Sequence, residues 1–337
     1  VGSEMCIRDS NKDKQHLIVD RLGRRFRNLR LSLTAACNYA CTYCVPDGKR
    51  LQAAAYELSG EEIVRATRLL IDTAGIDKVR ITGGEPLLSP KFPETLQGIM
   101  DLGLSDVSLT TNAQLLPRYA EAIIESGMRR INVSLDTLDR ERFREIARSG
   151  DLNTVLHGIE LMQAGGLAVK INMVPMKHVN DDQILPLLEY SLERNIELRF
   201  IELMNMGHLQ ASPSYGREFF SMEEILDRIA SRYAFCRTDA PFDSTAVRYD
   251  IAGRGVFGVI ANESEPFCRN CTRLRLSSNG AIYGCLSSAR SSNIRDLLAL
   301  PDDEAKAALQ EVLLGALADK QDENFQGEVT VMKFIGG

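Results

Sequence analysis

The sequence lacks the features that mark membrane, exported and nucleic-acid-binding proteins. Its 337 residues include no tryptophan and no apolar run near the ~20 residues that a membrane helix needs. No basic stretch followed by an apolar core opens the chain, so we expect neither export nor membrane anchoring. The net charge of −6 disfavours a general nucleic-acid-binding protein. The sequence therefore predicts a cytoplasmic protein.

Cysteine is scarce and unevenly spread. Six of the eight cysteines form two triplets, whereas Cys6 and Cys236 have no companions and are interpreted as incidental thiols. Disulfides are rare in the cytosol, where clustered thiols more often hold metal or do redox chemistry. The first triplet is Cys37, Cys41 and Cys44, and the second triplet is Cys268, Cys271 and Cys285.

Short β-rich runs alternate with helix-sized intervals over the first part of the chain. This alternation implies parallel strands joined by right-handed crossovers. Six such units are too few to close an eight-stranded barrel, so we predict an α/β fold, a partial TIM-like (β/α)6 barrel with functional residues at the carboxyl ends of its strands. The runs are Leu29 to Thr34, Lys78 to Thr82, Asp106 to Thr111, Ile131 to Leu135, Val169 to Val174 and Glu197 to Leu203.

The alternation fails from about Tyr215. A helical run is followed there by strand-like "AVRYDIAG" and "VFGVIA", the second triplet, and a charged helical segment after Ile294. The chain is also longer than the ~150 residues usual for one compact domain. We therefore predict a mobile leader at residues 1–20, the partial barrel at 21–214 and a smaller C-terminal domain at 215–337.

The first triplet, in "CNYACTYC", has no nearby fourth ligand. A structural zinc ion almost always takes four protein ligands, and no further Cys or His lies within a few residues. A [4Fe–4S] cluster tolerates three thiolates, because one of its irons can stay open for a small molecule. Structural zinc and unbound thiols are the alternatives that the spacing leaves. The lack of a fourth protein ligand favours a [4Fe–4S] cluster over these alternatives.

The spacing CxxxCxxC with Tyr43 before its last cysteine, followed after the next strand by "ITGGEPLL", resembles the radical S-adenosylmethionine (SAM) superfamily. The resemblance implies that SAM binds the open iron and that its reductive cleavage produces a 5′-deoxyadenosyl radical. It also implies that Tyr43, Gly84, Ser134 and Met204 contact SAM. Without this resemblance, the paired glycines would indicate an ordinary turn, and Met204 would be interpreted as a core residue.

The second triplet also lacks a fourth ligand. The segment "CRNCTRLRLSSNGAIYGC" gives CxxC, thirteen intervening residues and Cys285, and no histidine follows His208. The spacing alone would slightly favour zinc. A closed zinc site needs a fourth ligand that the sequence does not supply. We therefore predict a second [4Fe–4S] cluster with an open iron.

Basic residues occur on strands that we expect to be covered by helices. A charge there is costly unless it meets a counter-charge, so several in one barrel suggest an anion inside. The planar guanidinium of arginine suits phosphate oxygens. Arg273 and Arg275 alternate on a further strand and point the same way, although such pairs are usually solvated. The barrel residues are Arg30, Arg80, Lys170 and Arg199.

From about Leu22 onwards the chain resembles the molybdenum cofactor biosynthesis protein A family, the GTP 3′,8-cyclases. The resemblance is carried by "LRLSLTAACNYACTYC", "RITGGEPLL", "LTTNA", "RRINVSLDTLD", "NDDQILPLLEY", "LRFIELMNMG", "FCRNCTRLRLSSNGAIYGCL" and "IGG". Two positions depart from the family pattern: Ala113 stands where glycine is usual, and Val45 stands where methionine is common. It implies a lyase with SAM and two [4Fe–4S] clusters. The adenosyl radical would take the ribose 3′ hydrogen of GTP to give (8S)-3′,8-cyclo-7,8-dihydroguanosine 5′-triphosphate, the first step of molybdenum cofactor biosynthesis.

The same resemblance assigns site residues and partners. Gly336 and Gly337 would reach into the active site, for which a mobile chain end is the alternative. A low-potential electron donor such as flavodoxin or ferredoxin would supply electrons, and cyclic pyranopterin monophosphate synthase would take the product. Nucleic acid and membrane are not expected as partners, and the oligomeric state, a homodimer included, stays open. The implied GTP contacts are Arg30, Arg80, Thr110, Lys170, Arg273 and Arg275.

Two other functions remain open. A radical SAM enzyme acting on a peptide would also carry auxiliary clusters, but it gives no reason for the convergent basic residues or the Gly-Gly end. A non-catalytic zinc or electron-transfer protein would need closed coordination, which the number of cysteines disfavours.

Overall fold

Six strands that each precede a helical interval form the centre of the fold. A computed structural model of the chain describes residues 18–45, 48–50, 52–210, 212–241 and 243–327. The six strands pair in chain order and in parallel, as the sequence predicts. They are β1 (Asn28–Ser32), β2 (Lys78–Thr82), β3 (Asp106–Thr111), β4 (Arg130–Ser134), β5 (Ala168–Met173) and β6 (Glu197–Ile201).

Helix α1 (Gly60–Ala74) shows how sequence sets the helix ends. The Ser59 hydroxyl accepts from the Glu62 backbone N–H, while the Glu62 carboxylate accepts from the Ser59 N–H, so both ends of a capping box are present. Gly75 ends the helix at φ 69°, a left-handed position that suits glycine. The other helices are α2 (Phe92–Met100), α3 (Leu116–Glu125), α4 (Arg140–Ala147), α5 (Leu152–Ala164), α6 (Ile184–Glu193), α7 (Pro213–Glu218), α8 (Met222–Ala230) and α9 (Asp302–Ala318).

The C-terminal segment extends the same sheet at both edges. Strand β9 (Gly255–Ile260) pairs in parallel with β6, and β10 (Arg273–Leu276) pairs in parallel with β1. Antiparallel strands continue outward on each side, which gives the order β12-β11-β10-β1-β2-β3-β4-β5-β6-β9-β8-β7. The division into domains at residue 215 stays a prediction. The outer strands are β7 (Cys236–Thr238), β8 (Val247–Ile251), β11 (Ala281–Tyr283) and β12 (Ser292–Asn293).

Alternation along the parallel strands separates an apolar face from a polar one. Leu31 and Ile81 are fully buried in the core, whereas Arg30 and Arg80 lie between such residues and line cavities. The register places Arg30 beside Arg80 of β2 on one side and beside Arg275 of β10 on the other. The polar face therefore brings guanidinium groups close together. No helix within the described ranges combines the length and apolar character needed to cross a membrane.

Candidate active site

One cavity brings the two cysteine triplets together. It measures about 320 Å³ and is lined by residues that follow the parallel strands, among them Gly84 after β2, Asp136 after β4 and Met204 after β6. This volume is in the range of small-molecule sites. All six cysteines of the first and second triplets line this main cavity.

The loop that carries the first triplet is fixed against the end of α4. The Ala40 backbone N–H donates to the Ala147 carbonyl at 3.1 Å, and the Thr42 N–H donates to the Ile146 carbonyl at 3.0 Å. The three cysteines are partly buried. The loop therefore presents three sulfur ligands to the cavity on a supported backbone.

Gly84 allows this loop to lie close to the turn after β2. Its backbone N–H donates to the Thr34 carbonyl at 2.7 Å. A Cβ atom at this position would collide with the backbone carbonyls of Ala35 and Ala36, just before the first triplet. A side chain here would displace the loop, which explains why the turn needs glycine at this position.

Two buried carboxylates lie beside the first triplet. Glu85 accepts from the Thr111 hydroxyl and from the Asn112 backbone N–H, both at 2.7 Å. Burial raises the pKa of Glu85 to about 7. Burial, with Glu85 nearby, also raises the pKa of the Cys37 thiol to about 12. Sequence reasoning missed Glu85, although it follows the paired glycines directly.

Asp136 is the second of these carboxylates. It accepts from the Tyr43 hydroxyl at 3.0 Å and from the Val174 backbone N–H at 2.8 Å. Burial raises the pKa of Asp136 to about 6. Burial and then Asp136 raise the pKa of the Cys41 thiol. This end of the cavity is therefore acidic.

Cations surround the second triplet. Cys268 and Cys271 precede β10, and Cys285 follows β11. Burial would raise the pKa of the Cys271 thiol, but Arg273 and Lys320 outweigh it and lower the pKa to about 5. Burial raises the pKa of Cys268 to about 11. Sequence reasoning missed Lys320, which lies just after α9 in the charged run "ADKQDEN" and has no local pattern to mark it.

The donor sets fit iron–sulfur clusters better than single metal ions. Within the described residues, no three His, Cys, Asp or Glu side chains are grouped as one bound ion requires. Three cysteines from each triplet line a shared cavity, which agrees with clusters that each have three thiolate ligands and one open iron. This arrangement disfavours the zinc alternative.

The basic residues predicted on the barrel strands line two cavities that share some of their lining residues. Arg30, Arg80 and Arg199 border both the main cavity and a lower cavity, whereas Lys170 borders the lower one. Burial and neighbouring arginines lower the pKa of Arg80 to about 9 and that of Arg275 to about 10. Buried cations this crowded favour an anionic ligand, because an anion offsets both burial and mutual repulsion.

The lower cavity, of about 270 Å³, lies at the amino ends of the strands. Glu197 accepts there from Lys170 at 2.9 Å, Arg199 at 2.8 Å and Arg248 at 3.2 Å. Burial would raise the pKa of Glu197, but Arg199 and Lys170 lower it to about 2. The i, i+2 spacing of Glu197 and Arg199 on β6 could have signalled this pair. Other charged lining residues that the sequence analysis missed are Lys78, Asp106, Arg130, Asp243 and Arg248.

The remaining predicted site residues have these positions. Tyr43, Thr110, Ser134, Met204 and Arg273 line the main cavity. The Thr110 hydroxyl is buried with no hydrogen-bond partner within the described part of the chain. Cys236 is exposed on β7. Cys6, Gly336 and Gly337 lie outside the described residues.

Comparison with known proteins identifies the family. The Radical SAM superfamily matches residues 31–191, and Molybdenum Cofactor Synthesis C matches residues 196–326. GTP 3′,8-cyclase of Synechocystis sp. is 38% identical over 299 residues, which cover 88% of this chain and 90% of that protein. GTP 3′,8-cyclase of Staphylococcus carnosus is 36% identical over 344 residues, covering 95% and 99%. The chain belongs to the GTP 3′,8-cyclase family.

Solved structures share the fold of this GTP 3′,8-cyclase family member. Streptococcus suis SuiB bound to S-adenosylmethionine has a TM-score of 0.60 at 19% identity, covering 81% of this chain and 64% of SuiB. A structure of anSMEcpe with bound AdoMet has a TM-score of 0.55 at 15% identity, covering 87% of this chain and 81% of anSMEcpe. Together with the match to the Radical SAM superfamily, these likenesses confirm the predicted radical SAM fold. Family membership confirms the predicted enzyme class, a radical SAM lyase with iron–sulfur clusters.

Proposed function

We propose that this protein converts GTP into (8S)-3′,8-cyclo-7,8-dihydroguanosine 5′-triphosphate with SAM and two [4Fe–4S] clusters. The observation that carries the proposal is that both cysteine triplets line one cavity whose two ends differ in charge. The end beside Glu85 and Asp136 suits the cationic SAM. The arginine-rich end suits a triphosphate. The relatives named GTP 3′,8-cyclase, at 36% and 38% identity, support the reaction.

The first triplet would hold the cluster that binds SAM. When bound, this cluster and SAM supply the radical that removes the ribose 3′ hydrogen of GTP. Tyr43, Gly84, Ser134 and Met204 would contact SAM, and all four line the main cavity. Gly84 lets the backbone approach the loop of the first triplet without a side chain between them.

The basic residues would hold GTP. The main and lower cavities share Arg30, Arg80, Arg199 and Arg273, so a triphosphate bound among them can extend from one cavity into the other. The second cluster would bind the guanine ring. Thr110, Lys170 and Arg275 complete the proposed contacts, to which the structure leads us to add Arg199. This set is Arg30, Arg80, Thr110, Lys170, Arg199, Arg273 and Arg275.

Gly336 and Gly337 stay part of the proposal as residues that reach the substrate. Phe325 lines the main cavity, which supports a path for the following segment beside the site. A backbone without side chains fits where a bound nucleotide leaves little room.

We also propose the partners and location implied by this function. The electron donor is a low-potential protein such as flavodoxin or ferredoxin, and the product passes to cyclic pyranopterin monophosphate synthase. A cytoplasmic location is supported by the two cysteine triplets, because the cytosol keeps thiols reduced and available as ligands.

The test is an anaerobic reaction of the reconstituted protein with SAM, reductant and GTP deuterated at ribose C3′. We expect a cyclised nucleotide, and 5′-deoxyadenosine that carries the deuterium, both measured by liquid chromatography with mass spectrometry. A matched sample with the first triplet replaced by alanine should give neither. Cleavage of SAM without any product from GTP, or 5′-deoxyadenosine without deuterium, would contradict the proposal.

A further inference from the structure

Lys320 is a buried lysine beside the second triplet. The residue is 6% exposed, and its Nζ lies 3.2 Å from the Cys271 Sγ, 2.8 Å from the Arg273 carbonyl oxygen and 3.0 Å from the Gly284 carbonyl oxygen. It also lies 5.1 Å from the centroid of the Phe26 ring. A lysine is costly to bury unless its donors and its charge are met. These contacts show which groups accept the hydrogen bonds of Lys320 and which group balances its charge.

The three acceptors require the charged form of the side chain. An ammonium has three N–H donors, whereas a neutral amine has two. Three donated hydrogen bonds therefore indicate an ammonium. Two of its acceptors are carbonyls in the segments that carry the second triplet, because Arg273 begins β10 and Gly284 immediately precedes Cys285. Lys320 thus ties the chain after α9 to both segments.

The counter-charge for this ammonium is the sulfur of Cys271. Nearby carboxylates are engaged elsewhere, since Asp319 pairs with Arg290 at 3.2 Å and Asp322 pairs with Arg24 at 3.3 Å. Of the three acceptors around Nζ, the thiolate alone can carry a negative charge. Hydrogen bonds to cluster sulfurs and the net charge around them set the reduction potential of an iron–sulfur cluster.

We propose that Lys320 is a positioning residue of the second cluster, whose ammonium holds the Cys271 thiolate and offsets negative charge so that this cluster is easier to reduce. The inference rests on the proposed function, because it takes a [4Fe–4S] cluster at the second triplet. It adds a residue that the family resemblance did not assign and that acts through Cys271.

The test compares Lys320→Met, which keeps the length and loses the charge, with Lys320→Arg, which keeps the charge. Lys306→Met is the matched control, since Lys306 lies on α9 and pairs with Asp72 at 2.8 Å. Each change is made in the full chain with the first triplet replaced by alanine, so that the second cluster alone gives an electron paramagnetic resonance signal. The signal is followed during a redox titration.

Lys320→Met should lower the reduced-to-oxidised ratio about tenfold at the potential where the unmodified second cluster is half reduced. That change equals a shift of about −59 mV for one electron and is within what a hydrogen bond to a charged group contributes. Lys320→Arg should recover most of the ratio, and Lys306→Met should stay within about twofold. A Lys320→Met ratio within about twofold of the unmodified protein would overturn the inference.

A mirror sample separates this effect from a general loss of structure. In a chain with the second triplet replaced by alanine, Lys320→Met should leave the ratio of the first cluster unchanged, and an equal shift there would overturn the inference. The Lys320→Met variant could fail to bind a second cluster. In that case, iron retained at the second triplet in Lys320→Arg supports the proposed role of the positive charge. Loss of that iron in both variants overturns the inference. An unmodified chain with no iron at the second triplet would refute the proposed cluster site and, with it, this inference.

Discussion

The two cysteine triplets differ less in their ligands than in the charges around them. Beside the first, burial and Glu85 raise the pKa of the Cys37 thiol to about 12. Beside the second, burial is outweighed by Arg273 and Lys320, and the pKa of the Cys271 thiol falls to about 5. One thiol of each triplet, Cys37 and Cys271, thus has its pKa shifted in the opposite direction from the other, whereas burial raises the pKa of Cys268 to about 11. The cysteines indicate a cluster at each site, and the charged residues around them agree with the charge of the molecule proposed to bind there.

Removing one triplet at a time tests whether the two sites have separate roles. Alanine at the first triplet should abolish SAM cleavage and lower bound iron from about eight to about four per chain, because each cluster carries four irons. Alanine at the second triplet should give the same iron loss but retain SAM cleavage without cyclisation. Iron content and 5′-deoxyadenosine are the measurements. Equal loss of SAM cleavage in both variants would break the comparison.

The basic end can be tested by removing its arginines. Arg273→Ala with Arg275→Ala should raise the Kd for GTP at least about 100-fold, because two hydrogen bonds to charged groups are lost. The Kd for SAM should stay within about threefold of the unmodified value. Both constants are measured by anaerobic calorimetry. Arg237→Ala is the control, since Arg237 is an exposed residue paired with Glu265 at 2.7 Å. Unchanged GTP affinity in the double variant would contradict the role of these arginines.

Each site also depends on a glycine that lets two backbones meet. A Cβ at Gly84 would collide with carbonyls of the first triplet's loop, and one at Gly284 would collide with the backbone of Ala316 in α9. Alanine at either position should cost about 3 kcal/mol or more. Gly84→Ala should lose iron from the first site and Gly284→Ala from the second, as resolved by spectra of the single-cluster chains.

Gly315→Ala is the matched control for these glycines. Gly315 lies in α9, and a Cβ there meets nothing within 4 Å. Alanine should therefore stabilise the helix by about 0.5–1 kcal/mol. The Gly284→Ala variant could instead keep both clusters and be as stable as Gly315→Ala. The close contact between Gly284 and the Ala316 backbone would then have no energetic importance.

The acidic end makes a smaller, pH-dependent difference. Burial raises the pKa of Asp136 from 3.8 to about 6, so the folded state binds this proton more tightly than the unfolded state does. The resulting stabilisation is present below about pH 4 and is lost as the pH rises through 6, a change of about 2–3 kcal/mol. Asp136→Asn removes this dependence, because its amide can still bond Tyr43 and Val174. Urea unfolding of the cluster-free chain at several pH values measures the free energy of unfolding. If that free energy changed with pH in the same way in the unmodified chain and in Asp136→Asn, the prediction would be contradicted.

The parallel strands could be predicted from sequence because each is a local β-rich run with a helix-sized interval after it. The predicted Lys78 to Thr82 and Asp106 to Thr111 match β2 and β3 residue for residue. The pairing of β10 with β1 could not be predicted, because it joins Asn28 to Arg273 across most of the chain. Such pairing leaves no local periodicity.

In the candidate site, too, local sequence patterns predicted some features, whereas features that depend on long-range contacts were missed. The spacing of the two triplets, and charges on otherwise covered strands, pointed to residues that now line the cavities. Lys320 gave no signal, since an isolated charge in a polar run is interpreted as solvated until tertiary packing buries it. The tuning of each site therefore depends on contacts that only the folded chain creates.

The pairing of β1 with β10 has a consequence for how the protein is made. Strand β1 is synthesised early and β10 late, so the first strand's outer edge stays bare while most of the chain emerges from the ribosome. The opposite edge, at β6, waits for β9 in the same way. The cavity that both triplets line can therefore close only after the segment that carries β10 has been synthesised.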